Sequence, residues 1–175
     1  MPNWCNNQMH LEGPAEKINQ VWENAKQIEG LLEAMVPLGE WEYNKATAVW
    51  GTKWDVDVTD LYYSESPDGK VGVIAGGFDS AWAPPTEAFD SYLDENPDCT
   101  AELLFYEGGN DFCGSLDTGE LNISHLNKQF FETDPVGEQL DEAFGIVEIL
   151  EEYDEELQDE IINEPLTLQD PEETQ

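Results

Sequence analysis

Between residues 3 and 116 the apolar residues change period several times, and the order of those changes limits the folds open to the chain. Residues 3–12 alternate around Trp4, Met9 and Leu11 and stop at Gly13-Pro14, which reads as a strand closed by a turn. Ile18, Val21, Trp22, Ala25 and Ile28 then follow one helical face, with Pro14 tolerated at the first turn and Gly30 past the end. Leu31 to Leu38 reads as a short extended piece leading through a polar loop to Trp50. Trp54, Val56, Val58 and Leu61-Tyr62-Tyr63 predict a second strand. Ser66-Pro67-Asp68-Gly69 supplies turn chemistry, and Val71, Val73 and Ala75 complete a hairpin. Ala88, Phe89, Tyr92 and Leu93 predict a second helix ending near Asn96-Pro97. Leu103, Phe105 and Tyr106 form a fourth strand, and Phe112 to Leu116 a shorter one after Gly108-Gly109-Asn110.

Strand, helix, strand, strand, helix, strand is the β-α-β-β-α-β order of an α+β, ferredoxin-like antiparallel sheet. No iron-sulphur cluster follows, because Cys5, Cys99 and Cys113 cannot supply four ligands. An odd number of cysteines without a CxxC pair fits a reducing compartment. No basic leader or membrane-length apolar run is visible, so the expected place is the cytoplasm of a host cell.

Charge enters the argument after residue 131. The chain carries 40 acidic residues against 6 basic ones, all lysine, for a net charge of −34. Residues 132–175 hold seventeen of the acids and no base. Leu140, Phe144, Val147, Leu150, Leu157 and Ile161 run through them at helical spacing. The expected organisation is a ferredoxin-like domain over 1–131, an acidic helical extension docked on it over 132–164, and a frayed acidic tail over 165–175. Without arginine or clustered lysine, direct nucleic-acid binding and attraction to anionic membranes are not expected. A basic partner is.

In a sheet of order 4-1-3-2, four sequence elements fall at one edge: Asn3-Trp4-Cys5-Asn6, Trp50-Gly51-Thr52-Lys53-Trp54-Asp55, Asp79-Ser80-Ala81-Trp82-Ala83-Pro84-Pro85 and Phe112-Cys113-Gly114. Trp4, Trp50, Lys53, Trp54, Asp55, Asp79, Trp82 and Cys113 are therefore the candidate binding residues, since aromatic surfaces with a few convergent polar groups make ligand sites. The plainer alternative is that the indoles cap the open end of a small sheet. The same elements, in the same order over roughly residues 1–116, resemble the plasmid- and phage-borne YubB-type proteins. That resemblance implies a ferredoxin-like domain and a mobile-element origin, and it transfers no catalytic residue.

No reaction is indicated. A nucleophilic Cys5 or Cys113 lacks a motif that brings His10 or His125 to it. No cysteine–histidine pair has zinc spacing, and Asp55-Val56-Asp57-Val58-Thr59-Asp60 lacks the glycine and distal glutamate of a calcium loop. With no dinucleotide or phosphate fingerprint either, no cofactor and no metal are expected. The leading functional expectation is a non-enzymatic mobile-element accessory protein. Its acidic surface, with Glu151, Glu152, Asp154, Glu155, Glu156, Asp159 and Glu160 as its densest run, would occupy a basic nucleic-acid-binding host protein as a mimic of DNA. The charge equals that of about 17 base pairs of duplex. The alternative expectation is a small-ligand or peptide module using the tryptophan edge, with acid serving solubility or salt adaptation.

Overall fold

A computed structural model describes residues 3–153. It is a mixed α+β structure with one antiparallel sheet of six strands in the order β2-β3-β1-β4-β5-β6. The strands are β1 (Trp4–Pro14), β2 (Leu61–Glu65), β3 (Val71–Ala81), β4 (Thr100–Glu107), β5 (Phe112–Asp117) and β6 (Glu120–Ser124). Six helices accompany them: α1 (Ala15–Ile28), α2 (Leu31–Met35), α3 (Tyr43–Trp50), α4 (Thr86–Glu95), α5 (Lys128–Thr133) and α6 (Pro135–Phe144). Residues 146–153 are helical as well.

The pleat of β1 explains the layering. Cys5, Asn7, Met9 and Leu11 point to one face and are buried, while Trp4, Gln8 and His10 point to the other and are exposed. On the buried face, Ile74 and Phe78 of β3 and Leu103 and Phe105 of β4 meet Ile18, Val21 and Ala25 of α1 and Ala88 and Phe89 of α4. A smaller core forms on the second face at its β4–β5 end. There Tyr106 and Cys113 lie beneath Phe131, Leu140 and Ile146. Among the described residues the second face over β1, β2 and β3 is left open, as the exposed Tyr62 shows.

Three expectations are corrected. The alternation of Trp54, Val56 and Val58 is loop, and β2 begins only at Leu61. The reason is local: the Asp55 carboxylate accepts from Leu32 N (2.6 Å), Glu33 N (3.1 Å) and Val56 N (2.8 Å), and Val56 O accepts from Leu31 N (3.1 Å). The backbone is thus turned to α2, away from the sheet. Leu31 to Met35 is accordingly helix, with Leu31, Leu32 and Met35 buried. The polar segment before Trp50 also folds, as α3, because Ala46 and Trp50 four residues apart share one buried face. β6 was not foreseen.

After β6, α5 runs across the boundary drawn at residue 131, and α6 carries Leu140 and Phe144 onto the second face. Asp134 caps α6 through Val136 N (2.9 Å), Pro135 opens it, and Gly145 in the left-handed region (φ 64°) ends it. The stripe then continues through Val147 and Leu150. Leu157, Ile161 and the tail from residue 165 lie outside the described residues. Among the described residues no helix is long and apolar enough to cross a membrane.

Candidate functional site

Three of the four sequence elements singled out above are joined by hydrogen bonds at one end of the sheet, while the fourth, Phe112-Cys113-Gly114, lies on β5 and pairs with β4 and β6. Trp4 pairs with Ala81 in the β1–β3 ladder, and Trp82 N donates to Asn3 O (2.9 Å). Thr52 Oγ1 donates to Ala81 O (2.9 Å), which ties the Trp50–Asp55 segment to the end of β3. Beneath them Asn7 Nδ2 donates to Cys5 O (2.7 Å) and Ser80 Oγ (2.9 Å), and Ser80 Oγ donates to Ala83 O (2.8 Å). Asn7, Thr52 and Ser80 are each at most 2% exposed, so this is an interior network with its donors satisfied. Gly51 lets the chain pass at φ 81°; a Cβ there would press on Pro84 O and Glu87 N at 3.3 Å.

That framework divides the eight candidate residues. Trp50 is buried, its Nε1 donating to Val36 O (2.9 Å), and it belongs to the core. Asp55 is spent on its three backbone donors; burial pushes its carboxyl above the ordinary value in spite of them. Cys113 is fully buried on the second face, in the cluster of Phe131, Leu140 and Ile146. These three do not line a surface site.

Trp4, Lys53, Trp54, Asp79 and Trp82 remain. Trp4 is 49% exposed, Trp54 38% and Trp82 45%. The Trp4 and Trp54 rings lie 6.2 Å apart at a 47° tilt, and the Lys53 ammonium sits 4.4 Å from the Trp54 ring centroid. Asp79 is exposed and accepts from Asn6 Nδ2 (2.7 Å). Trp82 has φ 74°, a region bulky L-residues avoid at a cost of about 1–3 kcal/mol, and the surrounding hydrogen bonds impose it.

Sequence reasoning missed Trp41. It is 50% exposed, and its Nε1 donates to Lys53 O (3.0 Å), so it props the loop that carries Lys53 and Trp54. The interior network was missed too, although Asn7 stands at an inward phase of β1 between Cys5 and Met9, where a polar residue needs partners.

Nothing at this edge resembles an activated nucleophile. Burial pushes the Cys5 thiol up to about 12 and the Cys113 thiol up to about 11, so both hold their protons at neutral pH. Among the described residues no group of three His, Cys, Asp or Glu side chains is gathered to hold a metal ion. Of the acidic run, Glu151 and Glu152 are exposed and Glu151 pairs with Lys128; Asp154, Glu155, Glu156, Asp159 and Glu160 lie outside the described residues.

No family model and no curated protein matches this chain. Among solved structures, the crystal structure of a protein api92 from Yersinia pseudotuberculosis, described with the family model DUF1281, is similar at 15% identity and a TM-score of 0.35. The match covers 54% of this chain and 38% of that one, so the chain spans well under half of that protein's length.

Proposed function

We propose that the protein is a non-catalytic interaction module that grips a cationic segment of a basic partner at its tryptophan edge. The observation that carries this reading is the exposure of Trp4, Trp54 and Trp82 on a framework that holds Trp82 in an unfavourable backbone region. An end cap that served only the core would bury its indoles, as Trp50 is buried. The Lys53 ammonium over Trp54 is an internal sample of the ligand chemistry, since a cation over an indole gains roughly 0.5–1 kcal/mol at an exposed site. Long-range attraction comes from the net charge of −34, and exposed carboxylates lie on α1 (Glu16, Glu23), α4 (Glu87, Asp94), β4 (Glu102) and α6 (Glu138) alike. The order β2-β3-β1-β4 with α1 and α4 supports a ferredoxin-like core, to which β5, β6 and the last helices are added, and the YubB-type resemblance supports a mobile-element origin.

The test is quenching of tryptophan fluorescence by an arginine-rich peptide. Trp54→Ala and Trp82→Ala should each weaken binding about 30-fold, the effect of losing an aromatic anchor worth about 2 kcal/mol. Lys53→Ala should leave binding intact or tighten it by freeing the ring. Unchanged affinity in both tryptophan variants overturns the proposal. The charge favours a second reading, a DNA mimic acting on a nucleic-acid-binding host protein. It predicts the opposite pattern: loss on neutralising Glu151, Glu152 and the acids that follow, none on removing an indole, and displacement of the partner by duplex DNA.

A further inference from the structure

The far edge of the sheet carries a second surface, which borders the tryptophan edge through Gly51, Ala83 and Pro84. Among the described residues β6 is the outermost strand, paired on one side to β5, and Glu120, Leu121, Asn122 and Ile123 are all exposed. An edge strand presents alternate N–H and C=O groups with no partner in the sheet. Leu121 is 44% exposed and Ile123 61%. They stand two residues apart and so share one face, and this face does not look onto solvent alone. A groove of about 440 Å³ runs beside them, lined by Gly51, Ala83, Pro84, Phe112 and the Glu87 side chain. Gly114, the pairing partner of Ile123, leaves room in its floor for the Phe105 ring, which a Cβ would meet at 2.6 Å.

An open backbone edge flanked by exposed apolar side chains is the combination that takes up an extended chain as an additional strand: main-chain hydrogen bonds hold it, and every second side chain packs beside Leu121 and Ile123, which form the outer rim of the groove. Charge selects the occupant. A second copy of this protein would bring −34 against −34, and exposed Asp117, Glu120 and Glu87 border this edge. We infer that β6 is a strand-addition site for an extended segment of a partner in which apolar residues alternate with Lys or Arg. The apolar side chains lie beside Leu121 and Ile123, and the basic ones meet the surrounding carboxylates.

The experiment uses the full chain and a peptide alternating valine and lysine over about eight residues, followed by fluorescence anisotropy of the labelled peptide and by NMR hydrogen exchange. Binding should protect the outward amides of β6. It should fall at least about tenfold in Leu121→Asp/Ile123→Asp, and as far when alternate peptide nitrogens of the unaltered protein's ligand are methylated. A valine–glutamate peptide should not bind. Because the tryptophan edge also attracts cations, the measurement is repeated in Trp54→Ala/Trp82→Ala. Persistence there with β6 protection supports strand addition even if the tryptophan proposal fails. Binding that disappears in that variant, ignores N-methylation, or leaves the β6 amides exchanging freely overturns it. So does a β6-mediated dimer, or no binding at about 1 mM peptide. Should the aspartate variant lose its circular dichroism signature, the N-methylated peptides on the unaltered protein decide.

Discussion

Replacing Asp55 tests whether the loop carrying Lys53 and Trp54 is anchored as described. Asp55→Ala removes the acceptor of three backbone donors, Leu32 N, Glu33 N and Val56 N. A hydrogen bond to a charged group contributes roughly 1.5–3 kcal/mol, but the three are coupled and the freed N–H groups partly regain water. The loss should be about 3 kcal/mol, which for a chain of this size lowers Tm by about 6–12 °C. Asp55→Asn keeps one acceptor oxygen and should lose about half as much. Gly30 offers an orthogonal test, since a Cβ there would lie 2.2 Å from Asp55 Oδ2. Gly30→Ala should therefore expel the carboxylate, and in Gly30→Ala/Asp55→Ala the two losses should overlap instead of adding. The pH dependence has a definite sign. Burial raises the Asp55 carboxyl above its ordinary 3.8, so the folded state binds the proton more tightly than the unfolded chain. The carboxyl's contribution is complete below that ordinary value and declines as pH rises through the raised one, so the advantage of wild type over Asp55→Asn should shrink from about pH 4 upward. Calorimetric melts of the wild type and the four variants across pH measure all of this. A Tm change under about 2 °C for Asp55→Ala, or strict additivity with Gly30→Ala, refutes the anchoring.

Leu140 is fully buried in the second-face cluster, so Leu140→Ala should cost about 2–5 kcal/mol in urea unfolding and expose the Tyr106 side of the sheet. All three cysteines are buried and free, so a chromogenic disulfide reagent at pH 8 should react slowly with the native protein and fully after denaturation. The raised thiols of Cys5 and Cys113, pushed to about 12 and about 11, stabilise the fold below the ordinary thiol range. That stabilisation is lost as pH climbs through those values, so an alkaline unfolding transition should shift upward in Cys5→Ser.

Period and turn chemistry made the regular elements legible. Gly13-Pro14 closes β1 at Pro14, and the stripe of Ile18, Val21 and Ala25 becomes the buried face of α1. Where one residue's side chain outweighed the local pattern, the sequence misled. Val56 and Val58 alternate like strand residues, yet the carboxylate between Trp54 and Val56 reaches α2 and bends the chain away. β6 is only five residues long, and the alternation of Leu121 and Ile123 with Glu120, Asn122 and Ser124 is too short a run to stand out from the polar segment that follows it. For the candidate site, aromatic clustering indicated the right end of the sheet. It could not separate Trp50, turned inward with Ala46 on α3, from Trp54, four residues later on a loop. That distinction depends on α3, where the polar sequence before Trp50 predicts loop.

The central position of β1 has a consequence for how the protein is made. Its neighbours arrive late: Leu11 pairs with Ile74, and Asn6 with both Asp79 and Tyr106, a hundred residues further on. At about 5–20 residues per second, β1 spends roughly 5–20 s outside the ribosome before β4 exists to cover its second edge. Throughout that time the nascent chain carries a strand with Met9 and Leu11 on one face and two unpaired edges, a natural substrate for chaperones that hold extended apolar segments. Nascent chains arrested before β3 should therefore remain protease-sensitive, and protection of β1 should appear only once Glu107 has cleared the exit tunnel.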